Sequence, residues 1–130
     1  MPLWSKGRGL AIDVAVTCPF TINNMSRSEP CEYYAESKKH DYYDADFKGS
    51  GFLFAAMVFE TTGAINAEGK GVLRQLFRFA AKRQGIQLSV YCGRAWARLA
   101  CNLQTSVSQS ILNRVGGVGV FDDLSEDAEQ

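Results

Sequence analysis

The chain has 130 residues, 46% of them hydrophobic and 22% charged, with 14 basic side chains balanced by 14 acidic ones. That describes one domain, apolar enough for a core and too weakly charged for a disordered chain. The longest uncharged apolar run, Gly49 to Phe59, falls far short of the roughly 20 residues of a bilayer span, and Asp13 interrupts the one signal-like stretch near the N-terminus. Neither membrane insertion nor secretion is expected. The four cysteines, Cys18, Cys31, Cys92 and Cys101, form no Cys-x-x-Cys pair, so reduced thiols and an intracellular setting, nuclear or cytoplasmic, are expected.

The neutral total conceals a division. Residues 1–65 carry 6 basic and 8 acidic side chains, residues 66–120 carry 8 basic and 1 acidic, and residues 121–130 carry 5 acids and no base. Such a basic segment followed by an acidic tail suits either a polyanion-binding surface with a self-shielding appendage or a solvated helical face.

In chain order, Leu10 to Thr17 alternates about Ile12, Val14 and Val16 and reads as a strand presenting Asp13, Ala15 and Thr17 on its other face. Residues 21–30 form a connection. Cys31 to about Tyr43 reads as a helix, with Tyr34, Ala35, Lys38 and Tyr42 at helical spacing. Phe52 to Glu60 is a continuous apolar run and fits a strand buried on both faces. Asn66 is placed to cap a helix from Ala67 to Arg83, with Glu68 in its first turn and Gly85 as terminator. Gly69 and Gly71 weaken that helix unless close packing needs them. Ile86 to Tyr91 suits a short strand, and Arg94 to Arg114 a last helix with Trp96, Leu99, Ala100, Leu103, Val107 and Ile111 as its apolar stripe. Residues 1–115 make one α/β domain; residues 116–130 are a glycine-rich exit and an acidic tail expected to be disordered. Two strands make a poor sheet, so either residues 1–9 and 86–91 add edge strands, or a second copy or another chain completes the sheet edge, or the chain is a fragment of a longer domain.

Asp13 is the first candidate for chemistry, because a carboxylate on an apolar strand is costly unless paired, hydrogen-bonded or metal-bound; a wetted strand edge is the alternative. Glu36, Lys38, Lys39 and His40 follow on the helix, either as a lysine near a carboxylate-bound Mg²⁺ or as a solvated face. Glu60 ends the buried run as a second acid or as a surface residue. Lys70, Arg74, Arg78 and Lys82 recur every four residues as a basic stripe suited to a phosphate backbone, extended by Arg94 and Arg98, or to plain solvent. Tyr33, Tyr34, Tyr42 and Tyr43 are candidates for stacking or for packing on the sheet. The spacing of Cys18, Cys31, His40, Cys92 and Cys101 matches no compact zinc motif.

Three segments, DVAVTCP from Asp13, ESKKHDY from Glu36 and FETTG from Phe59, together resemble the restriction-endonuclease-like module at the C-terminus of some retroelement reverse-transcriptase proteins. The likeness spans roughly residues 9–114. It implies a restriction-endonuclease-like core with a small mixed sheet flanked by helices. It also implies Asp13 as the metal-binding strand acid and Lys38 or Lys39 as a catalytic lysine migrated from the place Ala15 occupies. The family pattern has a further Pro-Asp acid on an upstream strand. The twelve residues before Asp13 contain no acid, so the resemblance implies a truncated core in which Glu60 or Glu36 would have to complete the metal set with Asp13. The expected function is a degenerate, non-catalytic nucleic-acid-binding module. The alternatives are a Mg²⁺-dependent DNA phosphodiesterase with Asp13, Lys38, Lys39 and Glu60 as its catalytic groups, or a structural fragment without its own activity.

Overall fold

The computed structural model describes residues 4–116. Its order is β1 (Gly9–Thr17), α1 (Pro30–Tyr34), a π-helical stretch (Ala35–His40), α2 (Asp41–Phe47), β2 (Phe52–Glu60), α3 (Ala67–Gln84) and α4 (Leu88–Gly116). Beyond Gly116, the glycine-rich exit and the acidic tail lie outside the described residues.

The chain is α/β, but its sheet is not mixed. β1 and β2 pair in parallel from Gly9 opposite Phe52 to Thr17 opposite Glu60, and among the described residues no third strand joins them. Among the described residues neither segment 4–8 nor segment 86–91 forms an edge strand. Ser5 and Arg8 bond to each other across a tight turn. Ile86 is taken up by the end of α3: Gly85, at φ 67°, donates to Lys82 O while Ile86 N–H reaches Ala81 O, the paired bonds of a left-handed helix terminator. Leu88 to Tyr91 is then the first turn of α4, because Tyr91, Cys92, Ala95, Trp96 and Leu99 recur at helical spacing and pack on the core. Of the expected α4 stripe, Trp96, Leu99, Leu103 and Val107 are half-buried, whereas Ala100 and Ile111 are exposed.

β2 is buried on both faces, as its unbroken apolar run implies. Ala55 and Met57 pack against Val72, Leu73 and Phe77 of α3, while Ala56 and Val58 pack against Cys31 and Ala35 on the opposite side. Burial of each larger side chain contributes about 1.5–3 kcal/mol. Phe77 meets Trp96 edge-on at 5.2 Å between ring centres and Tyr91 at 5.9 Å, which seats α4 on α3.

Asn66 has the extended backbone of a helix N-cap, yet its side chain does not cap α3. Instead its Oδ1 accepts from Val58 N–H and its Nδ2 donates to Ala56 O, each at 2.8 Å, while its own N–H donates to Val58 O. The residue is wholly buried and acts as a one-residue strand on the outer edge of β2. Capping passes to Glu32 of α1, whose Oε1 accepts from Ala67 N–H. Clamping Asn66 to the sheet draws α3 close. A Cβ at Gly69 would stand 2.6 Å from Asn66 Oδ1 and 3.1 Å from Met57 Cα, whereas one at Gly71 meets nothing within 4 Å.

The two glycines should therefore respond oppositely to alanine. Gly69→Ala is expected to destabilise the fold by about 1–3 kcal/mol through overpacking, and Gly71→Ala to stabilise it by up to about 1 kcal/mol through helix propensity. Urea unfolding of the two variants beside the parent checks both signs.

Candidate functional site

Residues 30–47 run as one continuous helical segment whose middle, Ala35–His40, is π-helical. A π turn takes in one residue more than an α turn and rotates everything after it. Sequence spacing puts Tyr34, Ala35, Lys38 and Tyr42 on one face. In the structure Ala35 is buried and Tyr34 half-buried, but Lys38 and Tyr42 are exposed, and Lys39, His40 and Tyr43 turn inward in their place. The extra residue thus selects Lys39 over Lys38 as the lysine facing the sheet.

Lys39 Nζ stands 2.8 Å from Asp13 Oδ2. Asp13 lies at the middle of β1 on the face that α1 and the π-helical stretch cover. This oxygen is fully buried, and the ammonium is its ion-pair partner. The rings of Tyr34 and Tyr43 lie 5.7 and 6.0 Å from Nζ and add their negative faces. The hydrogen bond to Asp13 outweighs desolvation and raises the Lys39 pKa above its usual value, so the ammonium keeps its charge throughout the physiological range.

The acids expected beside Asp13 are elsewhere. Glu60 pairs with Thr17, four positions along the ladder from Asp13, a separation of roughly 13 Å at the usual strand rise. It is a buried structural acid: Oε1 accepts from Cys31 N–H at the start of α1 at 3.4 Å, and Oε2 accepts from Thr62 Oγ1. Burial, with the Glu60 bond and charge, pushes the Cys31 thiol up to about 11, leaving it unreactive. Glu36 is exposed, as is Lys38. Among the described residues no three His, Cys, Asp or Glu side chains converge on a common point. The metal set of Asp13, Glu60 and Glu36 is therefore corrected to a single hard-oxygen donor, Asp13, already facing an ammonium. These residues do not fit the two-carboxylate Mg²⁺ site that the resemblance implies.

His40 has a role that spacing did not reveal. Its Nε2 lies 2.6 Å from Glu68 Oε2 and its Nδ1 2.8 Å from Asp44 Oδ1. Two carboxylate acceptors are both satisfied only by the doubly protonated ring. Burial pulls the His40 pKa down, but the bonds to Glu68 and Asp44 more than offset it, and the net shift is upward from 6.5. Glu68 Oε2 also accepts from Ala56 N–H at 3.2 Å, so His40 links the crossover helix to α3 across the edge of β2. The ring packs edge-on against Phe54, which Tyr43 and Phe47 also contact.

On α3, Arg74, Arg78 and Lys82 are exposed and Lys70 is half-buried. Arg74 and Arg78 each follow a groove residue, Leu73 and Phe77, and so stand about 100° further round the helix. Arg94 and Arg98 do not continue that row. They line a cavity of about 380 Å³ between α3 and α4, whose lining contains none of the four α3 cations. None of these six forms an ion pair with a described carboxylate. The tyrosines divide: Tyr33 lies beneath the Arg27 guanidinium at 3.6 Å, Tyr34 and Tyr43 flank Lys39, and Tyr42 is exposed.

Comparison with protein-family models, curated proteins and solved structures returns no match. Among the described residues no helix is long and apolar enough to cross a membrane.

A histidine with a raised folded-state pKa contributes stability that is fully present below about pH 6.5 and is lost as pH rises through the folded value. The melting temperature is expected to fall as pH rises from about 6 to 8. His40→Gln should flatten that slope, and thermal melts of both chains across the range check it.

Proposed function

We propose that the chain is a degenerate, non-catalytic nucleic-acid-binding module of the restriction-endonuclease-like kind carried by retroelement reverse-transcriptase proteins. The observation that carries binding is the state of the basic half. Its single acid between residues 66 and 120, Glu68, is turned inward onto His40 and Ala56 N–H. It therefore does nothing to neutralise Arg74, Arg78 and Lys82, which stand exposed along one helix and offer a row of cations to a phosphate backbone. The kinship rests on Lys39 beside Asp13, the partnership that the migrated-lysine pattern implies. Catalytic incompleteness rests on the missing second acid. Four free cysteines suit an intracellular setting, and DNA is the expected polyanion.

Binding to duplex DNA should weaken steeply with salt. Replacing Arg74 and Arg78 together by Ala should reduce the slope of log K against log salt by about 2, with little change between sequences. Fluorescence anisotropy across a salt series reads it, and an unchanged slope removes α3 as the binding surface.

A second reading, a Mg²⁺-dependent DNA phosphodiesterase, has the Asp13–Lys39 pair in its favour, since it holds a carboxylate and an ammonium side by side. A nuclease assay in Mg²⁺ or Mn²⁺, run beside Asp13→Ala, separates the two. The proposed non-catalytic module gives no cleavage from either chain, whereas cleavage abolished by the substitution overturns it in favour of the enzyme.

A further inference from the structure

The two edges of the sheet are finished differently. Along β2, the outward groups of Ala56, Val58 and Glu60 are bonded by Asn66, Glu68 and the backbone of Ala64. β1 has no such cover. Gly9 N–H donates to Gly51 O and Thr17 O accepts from Thr61 N–H, so the odd-numbered residues of β1 face the β2 side. Strand alternation turns the N–H and C=O of Leu10, Ile12, Val14 and Val16 to the open edge. Among the described residues nothing bonds them there.

The same even-numbered residues carry an apolar face that α3 leaves uncovered. Ile12 is 40%, Val14 58% and Val16 53% exposed. They leave an apolar strip beside the unbonded edge, and a long apolar edge strand of this kind is a template for pairing with another strand.

We propose that the open edge of β1 is a homodimer interface, in which two copies pair their β1 strands antiparallel about a two-fold axis at Val14. The result is a continuous four-stranded sheet, β2-β1-β1-β2. Isologous contact requires a self-complementary strand, and β1 is one. A two-fold at Val14 sets Val14 against its copy and Ile12 against Val16 of the copy, joining groups that all face outward. Charge selects this register over its neighbour. A two-fold at Asp13 would bring the two Asp13 residues directly opposite, which is unfavourable, whereas the Val14 axis places each Asp13 opposite Ala15. The only charge on the strand is already balanced within each chain by Lys39. Pairing the two edges joins their unbonded backbone groups and sets Ile12, Val14 and Val16 of the two copies side by side on one face of the sheet.

Analytical ultracentrifugation of the purified chain over a concentration series tests the interface. The expected result is a monomer–dimer equilibrium, with Val14→Lys shifting it to monomer while circular dichroism stays that of the parent and melting matches the parent's at concentrations where the parent is monomeric. Hydrogen exchange on the unaltered chain is independent of whether that variant folds: the amides of Ile12, Val14 and Val16 should gain protection as concentration rises. With Cys18 and Cys101 replaced by Ser, Val14→Cys should join two chains through a short bis-maleimide and Ile12→Cys should not. A chain that stays monomeric with those amides unprotected, or a dimer indifferent to Val14→Lys, overturns the proposal and leaves the edge to a different partner chain.

Discussion

The wholly buried amide of Asn66 is the interaction on which most of this structure depends. By bonding Ala56 O and Val58 N–H it completes the outer edge of β2 without a third strand. It also pins the first turn of α3 against the sheet so closely that residue 69 has to be glycine. A buried amide that lost these partners would leave several polar groups unsatisfied, each costing about 1–3 kcal/mol.

The carboxylates follow the same logic. Glu32 accepts from the first amide of α3, Glu60 from the second residue of α1, and Glu68 from Ala56 and His40. All three glutamates accept from backbone donors, two of them at helix N-termini where the dipole favours negative charge, and of these only Glu60 was a candidate metal acid. Asp13 is left as the one acid on the sheet facing a cation. This accounts both for the absence of a converging acid set among the described residues and for the uncompensated basic surface of α3.

The π-helical stretch decides which groups reach the sheet. One extra residue in a turn carries Lys39 to Asp13 and His40 to Glu68, two contacts on neighbouring elements made by consecutive residues. An unbroken α-helix separates consecutive side chains by about 100° and would have offered Lys38 and Tyr42 instead.

Much was already determined by local pattern. Alternation about Ile12, Val14 and Val16 set β1 as a strand with Asp13 on the opposite face, although it is the Asp13 face that the helices cover and the apolar one that stays exposed; the apolar run from Phe52 set a strand buried on both sides; and Gly85 set the end of α3 because only a residue tolerant of positive φ closes that turn. These are short-range consequences of periodicity and backbone sterics. Tertiary structure decided what periodicity does not encode: the π insertion that prefers Lys39, the transfer of the α3 cap from Asn66 to Glu32, thirty-five residues in sequence from the Ala67 amide it accepts from, and the folding of Ile86 to Tyr91 into a helix terminator and a first turn rather than a strand. In each case buried backbone groups required partners. The side chain that supplied one was chosen by proximity in the packed chain, a long-range outcome that no window of neighbouring residues contains.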